Sequence, residues 1–416
     1  MNYEQALETI RSRSNFSLEP TLDRITKVLD VLGNPQEKFS AIHIAGTNGK
    51  GSTAAMCASV LKEQGFKTGL FISPYIIDFR ERIQMNNEFI DKESLAYLTK
   101  QVADTNIELT EFEFVTAIGF LYFAEQNCDI AVIETGLGGR LDATNTLPKS
   151  SENISVITKI GLDHTSVLGD TIEQIAKEKC GIVTKKTVMF PIQEKSVAEI
   201  IAKSSEKLIV PDLEELKIIE SDVFSNTFIY KGKKYEISLG GKHQILNAVT
   251  AIEALKNTAL KIDDTAIFEG LKKTFFPARL EVANKNPLLI IDGAHNPDGA
   301  NVLKDAMSSY GGKITAIVGM LKDKDCESFL ETVIRSCDEV LCVSVPYNPR
   351  SMSGEELSEL AQKYCNKVKV SDSIESALQQ VRNSQNTVFV FGSLYLASAV
   401  REYIPKIFEN LQNLTT

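Results

Sequence analysis

The sequence predicts an α/β protein of two domains, a larger one built around a glycine-rich loop and a smaller open parallel one. Three observations carry this expectation. The chain has 416 residues, more than one ordinary core organises. Short apolar runs alternate with helical spacings, as parallel strands joined by crossover helices do. Third, the run Ile42-His43-Ile44-Ala45 feeds Gly46-Thr47-Asn48-Gly49-Lys50-Gly51-Ser52-Thr53 and then opens into helical residues.

That last layout suits a phosphate cradle. Glycines let backbone N–H groups close on phosphate oxygens, and the following helix aims its positive end at them. Lys50 adds a mobile charge, and Ser52 or Thr53 offers a hydroxyl to Mg²⁺. The match to G-x-x-x-x-G-K-[ST] is imperfect, because Ile44 stands at the first glycine position and Gly51 falls between Lys50 and Ser52. A plain strand-to-helix turn with a surface lysine is the competing reading.

Composition narrows the class. No apolar run reaches the roughly 18–20 residues that span a bilayer, and the first residues, MNYEQALETIRSRSN, hold two acids and no apolar core segment. No signal peptide and a cytoplasmic location are therefore expected. The seven cysteines, at 57, 128, 180, 326, 337, 342 and 365, are odd in number and never spaced C-x-x-C. They read as reduced, buried small hydrophobes rather than bridges or a zinc site. A net charge of −10 argues against nucleic-acid binding. An anionic substrate then needs local positive charge, for which Lys50, Arg80, Arg82, Arg140, Lys179 and Arg279 are candidates.

Along the chain, residues 1–40 look helical, with Leu22, Ile25, Val28, Leu29 and Leu32 at spacings of three and four and Gly33-Asn34-Pro35 as the stop. After the strand Ala41–Ala45 and its loop, a helix is expected with Met56, Cys57, Val60 and Leu61 on one face, ending at Gly65. A short strand then runs into Ser73-Pro74; Ser73 is either a turn residue or a group at a strand's carboxyl end, where open α/β sheets hold ligands. Asp78-Phe79-Arg80-Glu81-Arg82 reads as a solvated charged loop. Thr110 and Glu113 have capping-box spacing, and Phe112 and Phe114 are either core or the wall of a pocket for a flat ring.

The run Ile130–Glu134 is a buried-type strand that delivers an acid into Gly136-Leu137-Gly138-Gly139-Arg140-Leu141-Asp142. An acid there suits a metal or metal-bound water beside a nucleotide, or else a helix cap. Another strand, Ile154–Lys159, precedes Asp163-His164-Thr165 and a helix that ends at Lys179. The four histidines, 43, 164, 243 and 295, all lie in motif-like stretches. Between about 205 and 240 the alternation around Lys231-Gly232 reads as a hairpin decorating the first domain. An alanine-rich helix follows, with Asn247 early in it as a plain polar position or a contact to a base edge. Phe275–Glu281 and Lys285-Asn286-Pro287 bracket the domain joint. Beyond it lie the strands Leu288–Asp292, Ile314–Met320, Val340–Val345 and Thr387–Phe391, with Asp292-Gly293-Ala294-His295-Asn296-Pro297 at one end. Together these pieces suggest a Mg²⁺-nucleotide enzyme working at a domain junction.

The ordered set Gly46–Ser52, Ser73-Pro74, Thr110-x-Phe112-Glu113, Gly136–Asn145, Asp163-His164-Thr165, Glu178–Ile182, His243-Gln244-x-x-Asn247-Ala248, Ala278-Arg279-Leu280-Glu281 and Asp292–Pro297 closely resembles the folylpolyglutamate synthase and dihydrofolate synthase family of the Mur ligase superfamily. The Lys-Gly-Ser form of the loop is that family's own. The resemblance implies a Mur-ligase-type ATP-binding domain over 1–284, with a small antiparallel β excursion, and a Rossmann-like glutamate-ligase-type domain over 285–416. It implies ATP-dependent addition of L-glutamate to a folate and to 7,8-dihydropteroate through an acyl phosphate.

The cofactors implied are ATP and Mg²⁺, with K⁺ as an optional further cation, and the chain is expected to work as a monomer without nucleic-acid or membrane partners. By the same match ATP would lie on Asn48, Gly49, Lys50, Gly51 and Ser52, with Asn247, Arg279, Asp292 and His295. Mg²⁺ would sit on Ser73, Glu134 and His164, and Lys179 would be a carbamate. Lys50, Lys179 and His164 would serve the chemistry. Leu22, Asp23, Arg24, Ile25, Thr110, Glu111, Phe112 and Leu141 would hold the pterin. Three positions depart from the family's usual residues: Tyr75 for histidine, Cys180 for alanine and Ala278 for glycine. The alternatives are a Mur-type ligase for another carboxylate and a nucleotide-binding module without chemistry.

Overall fold

The computed structural model describes residues 1–13, 19–150 and 152–408. By internal contacts the chain forms two compact units, one of residues 1–217, 229–236 and 246–274, the other of 218–228, 237–245 and 275 onward. The expected division at 284/285 falls inside a strand, Glu281–Lys285, that is hydrogen-bonded to Leu288–Ile291 of the C-terminal sheet. Backbone pairing therefore assigns the residues just before 285 to the second unit.

The first unit is organised by an eight-stranded sheet. Its strands are β1 (Ser40–Ala45), β2 (Thr68–Phe71), β3 (Ile83–Met85), β4 (Glu88–Phe89), β5 (Ile130–Glu134), β6 (Ile154–Ile157), β7 (Lys186–Met189) and β8 (Lys207–Ile209), in the order β4-β3-β2-β5-β1-β6-β7-β8. All pairings are parallel except β2–β3 and β3–β4. β1, β2, β5 and β6 are buried on both faces, which is why they read as continuous apolar runs. Register matters most here. Ile44 is level with Glu134 and Ala45 with Ile157, so the loop after β1, the acid of β5 and the turn after β6 emerge together.

Three local expectations change. The N-terminal pattern resolves into two helices, Tyr3–Arg11, opened by an Asn2/Gln5 capping box, and Asp23–Val31. The helix Lys50–Glu63 is buried from Gly51 through Leu61, not along one face. It packs between the sheet and the helix Asp264–Lys273, and a Cβ on Gly270 would lie 2.4 Å from Val60 Cα. The segment 78–82 is not a solvated loop. Its buried Glu81 accepts the N–H groups of Ile76, Ile77 and Asp78 and closes a 3-10 turn.

A three-stranded sheet, β9 (Leu216–Ser221), β10 (Asn226–Tyr230) and β11 (Lys233–Ile237), contains the expected hairpin, ordered β11-β10-β9. Lys231 and Gly232 both take positive φ, 48° and 73°, at its turn, as a two-residue connection with right-handed strand twist requires.

The second unit holds a six-stranded sheet of β12 (Glu281–Lys285), β13 (Leu288–Ile291), β14 (Ile314–Val318), β15 (Glu339–Cys342), β16 (Val368–Val370) and β17 (Thr387–Phe391), in the order β12-β13-β17-β14-β15-β16. Only β12–β13 is antiparallel. The sequence pattern reveals β13, β14, β15 and β17 but neither edge strand. β16 has three residues and little burial, and β12 is polar at three of its five positions. All seven cysteines are free thiols, and six are buried.

Ala278 has φ +54°, in the left-handed region where a Cβ is strained. Replacing it with glycine relieves that strain while loosening the unfolded chain, so Ala278→Gly is expected to stabilise the protein by about 0.5–1 kcal/mol. Denaturant unfolding measures this, and an unchanged or lower midpoint contradicts it.

Candidate active site

The glycine loop is shaped by two close approaches. A Cβ on Gly46 would lie 1.8 Å from Thr158 Oγ1, and one on Gly49, at φ +85°, would lie 2.4 Å from Asn247 Oδ1. Only glycine fits either position, and the second sets the buried Asn247 against the loop. The N–H groups of Thr47 and Asn48 donate to Lys159 O at 2.8 and 3.1 Å, and Thr47 Oγ1 donates to Gly161 O at 3.0 Å, tying the loop to the turn after β6. The helix begins at Lys50, so its first-turn amides lie outside the helical ladder and add positive potential.

Around this loop the fold collects charge. Lys50 Nζ donates to Thr47 O at 3.2 Å and sits 4.0 Å from Glu134 Oε1. Glu134 is 4% exposed, and its Oε2 accepts the N–H of Ser73 at 3.2 Å. Lys179, at the end of the helix Ile172–Lys179, is 5% exposed and donates from Nζ to Gly46 O at 2.7 Å. Burial, reinforced by the charge of Lys50, pushes the Lys179 pKa down to about 7, while Asp163 and Asp142 pull it up. A lysine in this state supplies the neutral amine that carbamate formation needs. His164 has φ +50° and a half-exposed side chain, with Nε2 3.9 Å from Asp163 Oδ2.

Among the described residues no group of three or more His, Cys, Asp or Glu side chains is poised to hold a metal ion. A dication here would draw on the Glu134 carboxylate, with Ser73 and His164 as the family resemblance implies, together with substrate phosphates and water. That donor set suits Mg²⁺, which keeps several waters and takes few protein ligands.

The residues matched to pterin binding occupy one region of the first unit. Arg24 forms a two-pronged ion pair with Glu113, at 2.9 and 3.2 Å, and Glu113 also accepts the Thr110 N–H in a capping box. Glu113 thus joins the two segments, a role that its capping-box spacing concealed. Arg82 Nη2 is 3.5 Å from Glu111 and lies over the Tyr75 ring at 5.3 Å. Phe112 is half-buried against Phe71 and Gly136, where a Cβ would meet its ring at 2.4 Å. Leu22, Asp23 and Arg24 retain exposure, as does Leu141, but Ile25 is fully buried in the core. Its helical spacing fits that core position, so its side chain packs inward while its neighbours Leu22, Asp23 and Arg24 keep exposure.

In the second unit Asp292 is buried, accepting Leu280 N–H at 2.9 Å and Ala294 N–H at 2.8 Å. Burial raises its pKa, against the lowering effect of Arg279. Arg279 donates to Ala278 O at 3.1 Å and lies 5.8 Å from the Phe276 ring centre. His295 Nδ1 is 2.8 Å from Gly293 O. His243 is held neutral, burial and then Arg279 lowering its pKa to about 4.

Family models match the Mur ligase middle domain over residues 44–255 and the Mur ligase glutamate ligase domain over residues 278–394. The chain is a two-domain Mur-type ligase. Folylpolyglutamate synthase of Lacticaseibacillus casei is 35% identical over 432 aligned positions, covering 97% of this chain and 98% of that protein. Dihydrofolate synthase/folylpolyglutamate synthase of Bacillus subtilis is 34% identical, covering 96% and 98%. Among solved structures, Escherichia coli FolC in complex with DHPP and ADP superposes with a TM-score of 0.86 at 28% identity over 98% of both chains. An FPGS–AMPPCP–folate complex gives 0.83 at 32% identity, covering 97% of this chain and 100% of the other. The chain belongs to the folylpolyglutamate synthase/dihydrofolate synthase family.

The Lys179 shift has a sign that stability reveals. The folded pKa lies near 7 and the unfolded one near 10.5, so the unfolded chain binds more protons between them and this group's contribution to stability rises with pH across that window. Relative to Lys179→Met, the wild type is expected to gain up to about 1.4 kcal/mol per pH unit between about 7 and 10. Urea unfolding at several pH values tests this; a gap between the two proteins that ignores pH contradicts it.

Proposed function

We propose that this protein ligates L-glutamate to a reduced folate and to 7,8-dihydropteroate at the expense of ATP. The observation that carries the reading is the convergence of Lys50, Glu134, Ser73 and Lys179 on the Gly46–Ser52 loop. A binding module without chemistry has no use for a buried lysine held near neutrality.

The substrate carboxylate attacks the γ-phosphorus of ATP, giving an acyl phosphate and ADP. The glutamate amine then adds to the acyl carbon, phosphate leaves and the nitrogen sheds its proton. Each step asks the protein to place reactants and to balance charge rather than to supply a nucleophile. Lys50 and the first-turn amides of its helix offset charge on the transferring phosphoryl oxygens. Asn48, Gly49, Gly51 and Ser52 cradle the phosphates, and Asn247 lies beside the loop for the nucleotide. By the family match, Arg279, Asp292 and His295 would be further nucleotide contacts.

Ser73, Glu134 and His164 would hold Mg²⁺, which screens the phosphate charge when bound. Carbamylation of Lys179 would exchange a cation for an anion and ease the crowding of positive charge beside Lys50. Leu22, Asp23, Arg24, Thr110, Glu111, Phe112 and Leu141 form the pterin region. The first unit serves as the nucleotide-binding domain and the second as the glutamate-ligating one, in one cytoplasmic chain.

Phosphate release from ATP with Mg²⁺ and glutamate tests this. Both 7,8-dihydropteroate and a reduced folate are expected to stimulate it, and stimulation by neither, in folded ATP-binding protein, contradicts the folate assignment. Lys50→Ala is expected to lower kcat by about 10²–10³-fold. Lys179→Ala is expected to be inactive and partly rescued by short carboxylates, which restore an anion in the vacated space; activity undiminished in this variant removes the carbamate from the account.

A further inference from the structure

A buried chain of polar side chains links the glycine-loop strand to the Gly136–Asp142 turn. His43, midway along β1, has Nε2 2.8 Å from Thr144 Oγ1, and Thr144 Oγ1 donates to Asp142 Oδ1 at 2.5 Å. Asp142 Oδ1 also accepts Thr144 N–H at 3.0 Å, and its Oδ2 accepts Leu137 N–H at 2.8 Å. All three side chains are buried.

The direction of the chain follows from counting protons. Asp142 receives donors on both oxygens, so it acts as the acceptor. The single hydroxyl proton of Thr144 is committed to it, and the Thr144 oxygen can only accept from His43. His43 therefore carries its proton on Nε2 and is a fixed neutral donor. Its pKa is lowered to about 3, by burial and then by Lys149, so it does not shuttle protons near neutral pH.

An apolar side chain would fill this place in β1 without the desolvation that a buried imidazole suffers. What the imidazole gains is hold over a particular turn. Through Thr144 and Asp142 it fixes Leu137 N–H, beside Gly136, the residue against which Phe112 is packed. The same turn carries Leu141, and the Asp142 charge acts on the Lys179 amine.

We propose that His43 is a positioning residue for the pterin-bearing substrate, acting through Thr144 and Asp142 on the Gly136–Asp142 turn. This rests on the reading of Phe112 and Leu141 as pterin contacts. The relay runs from the strand that delivers the ATP loop to the turn that meets the other substrate, so its loss falls on the second.

Steady-state kinetics of His43→Leu, His43→Gln and Thr144→Val tests this, with ADP affinity measured by calorimetry and thermal midpoints recorded. His43→Leu is expected to raise KM for the pterin substrate about tenfold, the effect of one buried hydrogen bond left unmade, with ADP affinity within about twofold. His43→Gln, whose amide nitrogen can reach the place of Nε2, is expected to recover most of the loss. Thr144→Val is expected to match His43→Leu and to add nothing when combined with it; being nearly isosteric, it also reports if His43→Leu does not fold.

Equal losses for ADP and pterin, or a glutamine variant no better than the leucine one, overturn the proposal in favour of a structural role. Phe112→Ala separates the two layers. If it leaves the pterin KM unchanged, the pterin reading fails and the relay with it; if it raises KM while the His43 and Thr144 variants do not, the relay alone fails.

Discussion

Two lysines crowd one glycine loop, and the first unit is built around keeping them there. Lys50 and Lys179 both donate to carbonyls of the segment Gly46–Thr47, and the charge of Lys50 helps lower the pKa of Lys179. Glu134 sits 4.0 Å from the first. Such crowding is unfavourable while both amines are charged; the lowered pKa of Lys179 eases it, and Lys50 remains as the charge that complements a polyphosphate. The sheet register that brings β1, β5 and β6 to a common end is what makes the crowding possible.

Glycines complete the arrangement by removing bulk where side chains converge. Asn247 reaches the loop only because Gly49 has no Cβ, and Phe112 lies against Gly136 for the same reason. The loop, the Gly136–Asp142 turn and the segments around Arg24 and Thr110 are therefore tied by contact rather than merely adjacent. The Arg24–Glu113 pair and the His43–Thr144–Asp142 chain are the polar ties among them. The residues proposed for the nucleotide and for the pterin in the first unit thus share one framework of β1, β5 and the helix Glu111–Glu125.

Much of this was legible in the sequence because the site lies at strand ends that carry their own punctuation. The glycine loop, the acid closing β5 and the Lys231-Gly232 turn each follow from local residue chemistry. Ser73, Asn247 and Lys179 do not: taken alone, each reads as an ordinary turn, polar or surface position, and family resemblance gave them roles. Ile25 carries two readings at once, since its helical spacing marks the core position it occupies while the family match groups it with its pterin-region neighbours. Glu81 lies in a charged stretch that looks solvated until the backbone N–H groups it serves are placed, and the capping box that the spacing of Thr110 and Glu113 predicts is present but gives no sign of the Arg24 that Glu113 also pairs with. β12 and β16 were missed because edge strands need not be apolar.

The loop cluster of Lys50, Glu134 and Lys179 is proposed to serve phosphoryl transfer to a substrate carboxylate. The most direct test supplies 7,8-dihydropteroate labelled with ¹⁸O in its carboxylate, together with ATP, Mg²⁺ and glutamate, and reads the released phosphate by mass spectrometry. An acyl phosphate leaves one labelled oxygen in each phosphate formed during ligation. Unlabelled phosphate accompanying amide formation would show that the carboxylate never took the phosphoryl group, and would contradict the account.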